Sequence, residues 1–317
     1  MTSAPAGAGA MDRAALVAFA RESIARGSKS FAAAARLFDP ATRDRAWLLY
    51  AWCRACDDIA DGQDHGGAMQ AVDDPQERLA YIRRLTAAAL AGEATGVPAF
   101  DALGFVATEC RLPHAFVWEV VEGFALDAAD WRPRSEDDLH RYCHHVAGAV
   151  GCLMAVLMGV APGDEETLDR AADLGQAFQL ANIARDLCED DAAGRCYLPA
   201  DWLAEVDVPP GEQMRPIYRD RIATLARRLG DKAAAHEASA RVGATRLPFR
   251  ARWAVLAAAG IYGDIAREVV RRGARAWDAR VVTSKAAKLG WVARAWGQAV
   301  RSPPPASRRG LWTRPRG

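Results

Sequence analysis

The sequence predicts a single all-α domain, and three observations carry that expectation. Helix formers dominate: alanine alone is about a fifth of the chain, with Leu, Arg and Glu plentiful. Strand signals are missing, with no series of alternating apolar and polar residues and no Asn-Gly or Asp-Gly hairpin between apolar runs. The punctuation is spaced for helices. Pro40, Gly62–Pro75, Gly92–Pro98, Pro113, Pro133, Pro162–Gly163, Pro199, Pro209–Pro210 and Pro248 mark breaks, and about ten to thirteen helices fit between them.

Composition sets the outer bounds. The 317 residues are 51% hydrophobic and 26% charged, with a net charge of +1. That apolar content excludes disorder as the main state, and the length supports a substantial core. Seven cysteines, thinly spread, read as reduced thiols of a cytoplasmic protein. The expected organisation is a flexible N-terminus over 1–11, an all-α domain over 12–300 and a basic Pro/Arg-rich tail over 301–317.

The first informative segment is Leu49–Asp61. On a helix, Tyr50, Arg54, Asp57 and Asp61 share a stripe about 60° wide, while Trp52, Ala55, Cys56 and Ile59 lie opposite. Cys53 and Cys56 have C-x-x-C spacing but no second pair, and read as two small core residues. Further on, Val146 to Pro162 is an apolar run of about seventeen residues, just short of a membrane span. It reads as a buried core helix. Gly148, Gly151 and Gly159 on it allow a close approach, either of an alkyl chain or of another helix. His144 and His145 read as structural.

The second informative segment is Leu174–Asp191. Here Gln179, Asn182, Asp186 and Asp190 share a face, flanked by Arg185 and Glu189. Leu180, Ile183 and Leu187 form a separate apolar flank. Carboxylates at i and i+4 are about 6 Å apart along a helix axis, so two can reach one cluster of hard cations. Two such helices facing one another would clamp a diphosphate through Mg²⁺. Their arginines would take the remaining phosphate oxygens. Carbon–diphosphate cleavage requires neutralisation of the leaving charge, which this array would supply. A solvated acidic face is the plainer alternative, weakened because the pattern occurs twice. A di-iron bundle would need Glu-x-x-His, which neither helix carries.

The end of the chain is basic. From Arg267 to Gly317 there are 13 Lys/Arg against 2 Asp/Glu. Trp277, Trp291, Trp296 and Trp312 are interspersed, which suggests peripheral, salt-sensitive contact with anionic lipid. A solvated tail is the alternative. No recognition motif supports nucleic acid as a partner.

Taken together, these motifs resemble the squalene/phytoene synthase family, from about Ser28 to Ser284. The matching residues are Ser28-Lys29-Ser30-Phe31, Tyr50 to Asp61, Tyr142 to Gly151, Gln179 to Asp186 with Asp190, Gly194 to Pro199, Leu247-Pro248 and Tyr262. The ending, GLWTRPRG, resembles bacterial carotenogenic members. Ala181 departs from the family pattern, standing where many relatives carry threonine.

The resemblance implies an isoprenoid synthase fold with a central cavity between helices. It implies head-to-head condensation of two geranylgeranyl diphosphates to phytoene through prephytoene diphosphate, with release of diphosphate, at the first committed step of carotenoid biosynthesis. Farnesyl diphosphate, giving presqualene diphosphate and then dehydrosqualene or squalene, is the alternative, since spacing does not set cavity depth. By the same resemblance Asp57, Asp61, Asp186 and Asp190 hold Mg²⁺, with Mn²⁺ as a substitute, and no nicotinamide is required. Arg54, Arg185, Arg195, Ser28 and Ser30 hold diphosphate. Tyr50, Gln179, Asn182 and Tyr262 line the reacting region, and Phe31, Tyr142 and Val146 contact substrate. Chain-elongating prenyltransferases and terpene cyclases share acidic helices but not the Arg54-x-x-Asp57 and Gly194-Arg195-x-Tyr197 combination. A Mg²⁺-dependent nucleotide pyrophosphatase or a non-catalytic binding module fits less well.

Overall fold

A computed structural model describes residues 11–62, 74–301 and 303–316; for Lys29 and Ser30 only the backbone is described. The described residues contain no strand and thirteen α-helices. The first six are α1 (Arg13–Gly27), α2 (Lys29–Ala35), α3 (Pro40–Asp61), α4 (Pro75–Leu90), α5 (Pro98–Cys110) and α6 (His114–Ala128). Next come α7 (Glu136–Cys143), α8 (Ala149–Leu157), α9 (Glu165–Ala192) and α10 (Ala200–Glu205). The last are α11 (Arg219–Gly243), α12 (Phe249–Arg272) and α13 (Lys285–Ala299).

The predicted breaks are where helices begin and end. Pro40, Pro75 and Pro98 stand in the first turns of α3, α4 and α5, where a missing N–H costs nothing. Asp39 caps α3 by accepting from the Thr42 amide at 3.0 Å. Gly62 ends α3 in the left-handed conformation at φ 62°. The N-terminal expectation falls mostly on residues 1–10, which lie outside the described residues. Asp12 already caps α1, accepting from Ala15 N at 2.8 Å.

Two apolar cores flank α9. One joins α1, α3, α4, α5, α6 and α8 around Trp52, Phe100 and Leu153, each fully buried. The other joins α7, α9, α11 and α12 around Leu139, Leu180, Leu225 and Val269. A cavity of about 650 Å³ runs between them.

The apolar run after Tyr142 is not one plain helix. A π-helical turn, His144–Gly148, joins α7 to α8, and α8 stops at Leu157. The widened turn is where α9 comes closest. A Cβ at Gly175 would overlap the Ala147 carbonyl and stand 2.6 Å from the Gly148 amide. A Cβ at Gly151 would likewise stand 3.1 Å from the Ala171 carbonyl carbon, so helix packing needs that glycine, which also lines the cavity. Gly159, at φ +101°, turns the chain out of α8. His144 and His145 are structural, held by the Glu119 carboxylate and carbonyl at 3.0 Å each.

The last residues lie along α9 and add no helix. Arg308 pairs with Asp173 at 2.7 Å and with Asp169 at 3.1 Å. Arg314 is buried, ion-paired with Asp169 at 3.1 Å and hydrogen-bonded to Glu165, with its guanidinium over the Phe116 ring. Arg316 reaches Asp169 at 2.7 Å. These positive charges are therefore committed to acidic residues of the same chain. The tryptophans follow suit. Trp277 donates to the Ala184 carbonyl at 3.0 Å, Trp291 to Asp264, and Trp312 to Asp137 at 2.8 Å. Trp296 alone of the four is exposed, at 52%.

Candidate active site

The cavity mouth is built from the two acidic helices. The C-terminal half of α3 presents Arg54, Asp57 and Asp61 to it, and the C-terminal half of α9 presents Gln179, Asn182, Asp186 and Asp190. Both sets follow the helical period, because the opposite faces carry core residues such as Trp52, Cys56, Leu180 and Leu187. Cys56 is core as expected. Cys53 instead lines the cavity, and burial pushes its thiol up to about 12, which keeps it protonated and poorly nucleophilic.

Arginines pair with both acidic walls, and Arg195 reaches from one to the other. Arg54 stands 3.5 Å from Asp57 and 3.8 Å from Asp58. Beyond α9, Gly194 at φ +75° turns the chain so that Arg195 reaches back to Asp61 at 2.7 Å. Arg185 grips Asp186 through both of its oxygens, one at 2.7 Å, and Arg280 meets the same carboxylate at 2.8 Å.

The carboxylates are nonetheless short of positive charge. Desolvation pushes Asp57 up to about 7, helped by Asp61, Asp58 and Asp127 and opposed by Arg54. Desolvation and then Asp186 push Asp190 up to about 7, against Arg195. Asp127, on α6, is raised to about 6 by burial, although Tyr142 and Tyr197 each donate a hydroxyl to it at 3.1 Å. Acids facing one concave space and resisting ionisation describe a site for a cation.

The donor set fits a hard divalent ion. It offers carboxylate oxygens from both walls and the buried Oδ1 of Asn182, an acceptor with no hydrogen-bond partner. Among the described residues, no three His, Cys, Asp or Glu side chains gather closely enough to hold an ion by themselves. Oxygens from a substrate would have to complete the shell, as is usual for Mg²⁺ with phosphates.

Most of the expected substrate contacts come together here. Phe31, Tyr142, Val146, Gln179, Asn182, Arg195 and Tyr262 line the cavity, with Tyr262 stacked on Phe178 at 4.2 Å. Three residues stand outside the lining. The Ser28 hydroxyl caps α2, accepting from Phe31 N at 3.2 Å. Tyr50 stacks behind Phe31 at 5.6 Å, and Arg185 is turned onto Asp186. The Ser30 side chain lies outside the described residues. Ala181 is buried in the second core, away from the lining, so its missing hydroxyl changes nothing in the cavity.

Beyond the mouth the cavity becomes apolar and follows α9. From Asp186 to Arg170 it extends about 24 Å, at 1.5 Å per residue. Val146, Val150, Met154 and Met158 face α9 across it.

Residues 24–287 match the profile of the family described as squalene/phytoene synthase. The chain belongs to that family. A protein of Pseudescherichia vulneris named phytoene synthase is 44% identical over 313 residues, covering 96% of this chain and 100% of its own. A 15-cis-phytoene synthase of Paracoccus sp. is 46% identical, covering 95% of this chain and 98% of its own. In fold, this family member is similar to a crystal structure of a dehydrosqualene synthase, at TM-score 0.80 and 24% identity, covering 90% of this chain and 96% of that one.

Asp127 and Arg280, at this family member's site, are not singled out by the motifs in the sequence. Asp127 had a local signal: Val120, Phe124 and Asp127 share one helical face of α6, and a carboxylate on an apolar stripe is unusual. Arg280 had none, because its meeting with Asp186 joins segments 94 residues apart in the chain.

Proposed function

We propose that this chain joins two molecules of geranylgeranyl diphosphate head to head, through prephytoene diphosphate, to 15-cis-phytoene, releasing diphosphate and needing no nicotinamide. The observation that carries the reading is the cavity itself: an acid- and arginine-lined mouth opening into an apolar barrel about 24 Å long beside α9. The names of the bacterial relatives support the same reading.

In this reading Arg54, Arg195 and Arg280, with Arg185, take diphosphate oxygens through bidentate contacts. Asp57, Asp61, Asp186 and Asp190, with Asn182 Oδ1, are the residues that would hold Mg²⁺ or Mn²⁺. The bound metal supplies charge neutralisation to the departing diphosphate. The remaining lining keeps the allylic cation dry and away from nucleophiles. The Cys53 thiol stays protonated, and the Tyr142 and Tyr197 hydroxyls are directed at Asp127. Tyr262 and Phe178, stacked on each other in the lining, add aromatic surface beside the reacting chains. The experiment is a competition between farnesyl and geranylgeranyl diphosphates with Mg²⁺. Phytoene is expected as the main product, and dehydrosqualene as the main product would overturn the chain length.

A cytoplasmic enzyme with this product needs contact with lipid. No described helix is long and apolar enough to cross a membrane. The candidate contact is α13, where Leu289 (71% exposed), Trp296 (52%) and the following Val300 (56%) fall on one helical face. Lys285 stands one turn before Leu289 on the same stripe, so anionic headgroups complement it. Leu289→Ser/Trp296→Ser is expected to lose most co-sedimentation with anionic liposomes at low salt. Unchanged sedimentation would remove the stripe from the account.

A further inference from the structure

The end of the cavity remote from the acidic mouth is closed. Met158, Thr167, Ala240, Gly243, Ala244 and Leu247 wall it, all of them buried. α9 and α11 meet there so tightly that a Cβ on Gly243 would stand 2.5 Å from Arg170 Cβ. Arg170 is the single charged side chain in this part of the lining, an unusual residue to face an apolar barrel.

Its charge is drawn out of the cavity. The guanidinium bonds to the Ser239 hydroxyl at 3.2 Å and to the Ser239 and Ala306 carbonyls at 3.3 Å, with Glu166 at 3.5 Å. The Ser239 and Ala306 anchors are themselves held. The Ser239 hydroxyl donates to Asp173 at 2.5 Å, and Asp173 is clamped by His236 at 2.9 Å and by Arg308. Ala306 and Arg308 both belong to the segment that lies along α9. With its head fixed outside, the methylene stem of Arg170 is left as cavity surface, as long cationic side chains favour.

We propose that Arg170, anchored through Ser239 and the C-terminal segment, is the floor of the cavity and sets the longest prenyl chain this enzyme accepts. The inference rests on the reading of the chain as a prenyl diphosphate synthase. An apolar pocket discriminates by volume, and even a single methylene at a closed wall is worth about tenfold or more in kcat/KM. Removing the Arg170 stem opens space for part of a further isoprene unit.

The test offers the full-length enzyme the C15, C20 and C25 all-trans prenyl diphosphates in competition and measures the C25-to-C20 ratio of kcat/KM. Arg170→Ala is expected to raise that ratio about tenfold or more, and Arg170→Leu, which keeps part of the stem, by less. Arg170→Met keeps a stem of similar length and loses the charged head, and its ratio is expected to stay within about twofold of wild type. If Arg170→Ala does not fold, as judged by circular dichroism, Arg170→Leu carries the test. An unchanged ratio in Arg170→Ala, or in Arg170→Leu where the alanine variant does not fold, overturns the floor, whether or not overall turnover falls. So does an Arg170→Met shift as large as that of Arg170→Ala. A wild-type enzyme that makes no C40 hydrocarbon from the C20 substrate would instead overturn the underlying function.

Discussion

Asp57→Asn is expected to lower turnover by about 10²–10³ while leaving the helical circular dichroism unchanged. Asp57 lines the mouth, and its carboxyl is already pushed up to about 7 by burial and the neighbouring acids. Folding therefore gains little from its charge, and the amide fits the same space. The function loses an anionic oxygen facing the place where diphosphate charge develops. Asp186→Asn on the opposite wall is expected to match it, with one difference. Asp186 is paired with Arg185 and Arg280, so its loss also frees two arginines beside the substrate. Turnover measured across a Mg²⁺ titration checks both variants. Near-normal rates at limiting Mg²⁺ would remove the acidic clamp.

Gly175→Ala is the second large effect, and it acts through packing. The new methyl would be driven into the Ala147 carbonyl and the Gly148 amide at the π-helical turn. Backbone cannot give way as a side-chain tip can, so the crossing must open. We expect a loss of about 1–3 kcal/mol in stability, with activity falling further because Val146 and Gln179 line the cavity on either side of that crossing. Chemical denaturation and turnover, measured on the same preparation, check this. Wild-type stability would show that the two helices are free to separate there.

Much of this architecture was readable locally. Proline at the first turn of a helix and glycine at its end are short-range effects, so Pro40, Gly62, Pro75 and Pro98 marked boundaries directly. The two acidic faces were readable for the same reason, since residues four apart must share a side of a helix. What escaped depends on contacts between distant segments. The π-helical turn at His144–Gly148 exists where α9 packs against it, which no window around Val146 records. Three arginines of the basic end, Arg308, Arg314 and Arg316, pair with Glu165, Asp169 and Asp173, acids over 130 residues away in the chain that no local window records. Ser28 shows the reverse limit. Its local pattern suits a helix cap as well as a diphosphate contact, and its hydroxyl accepts the α2 amide.

In the proposed reaction one cavity removes two diphosphates and joins two C20 chains. The most direct measurement is the stoichiometry of the reaction with labelled geranylgeranyl diphosphate: diphosphate released per molecule of hydrocarbon, with the hydrocarbon identified by mass. Two diphosphates are expected for each C40 product of phytoene mass. One diphosphate for each C20 hydrocarbon, or one for each lengthened prenyl diphosphate, would contradict it.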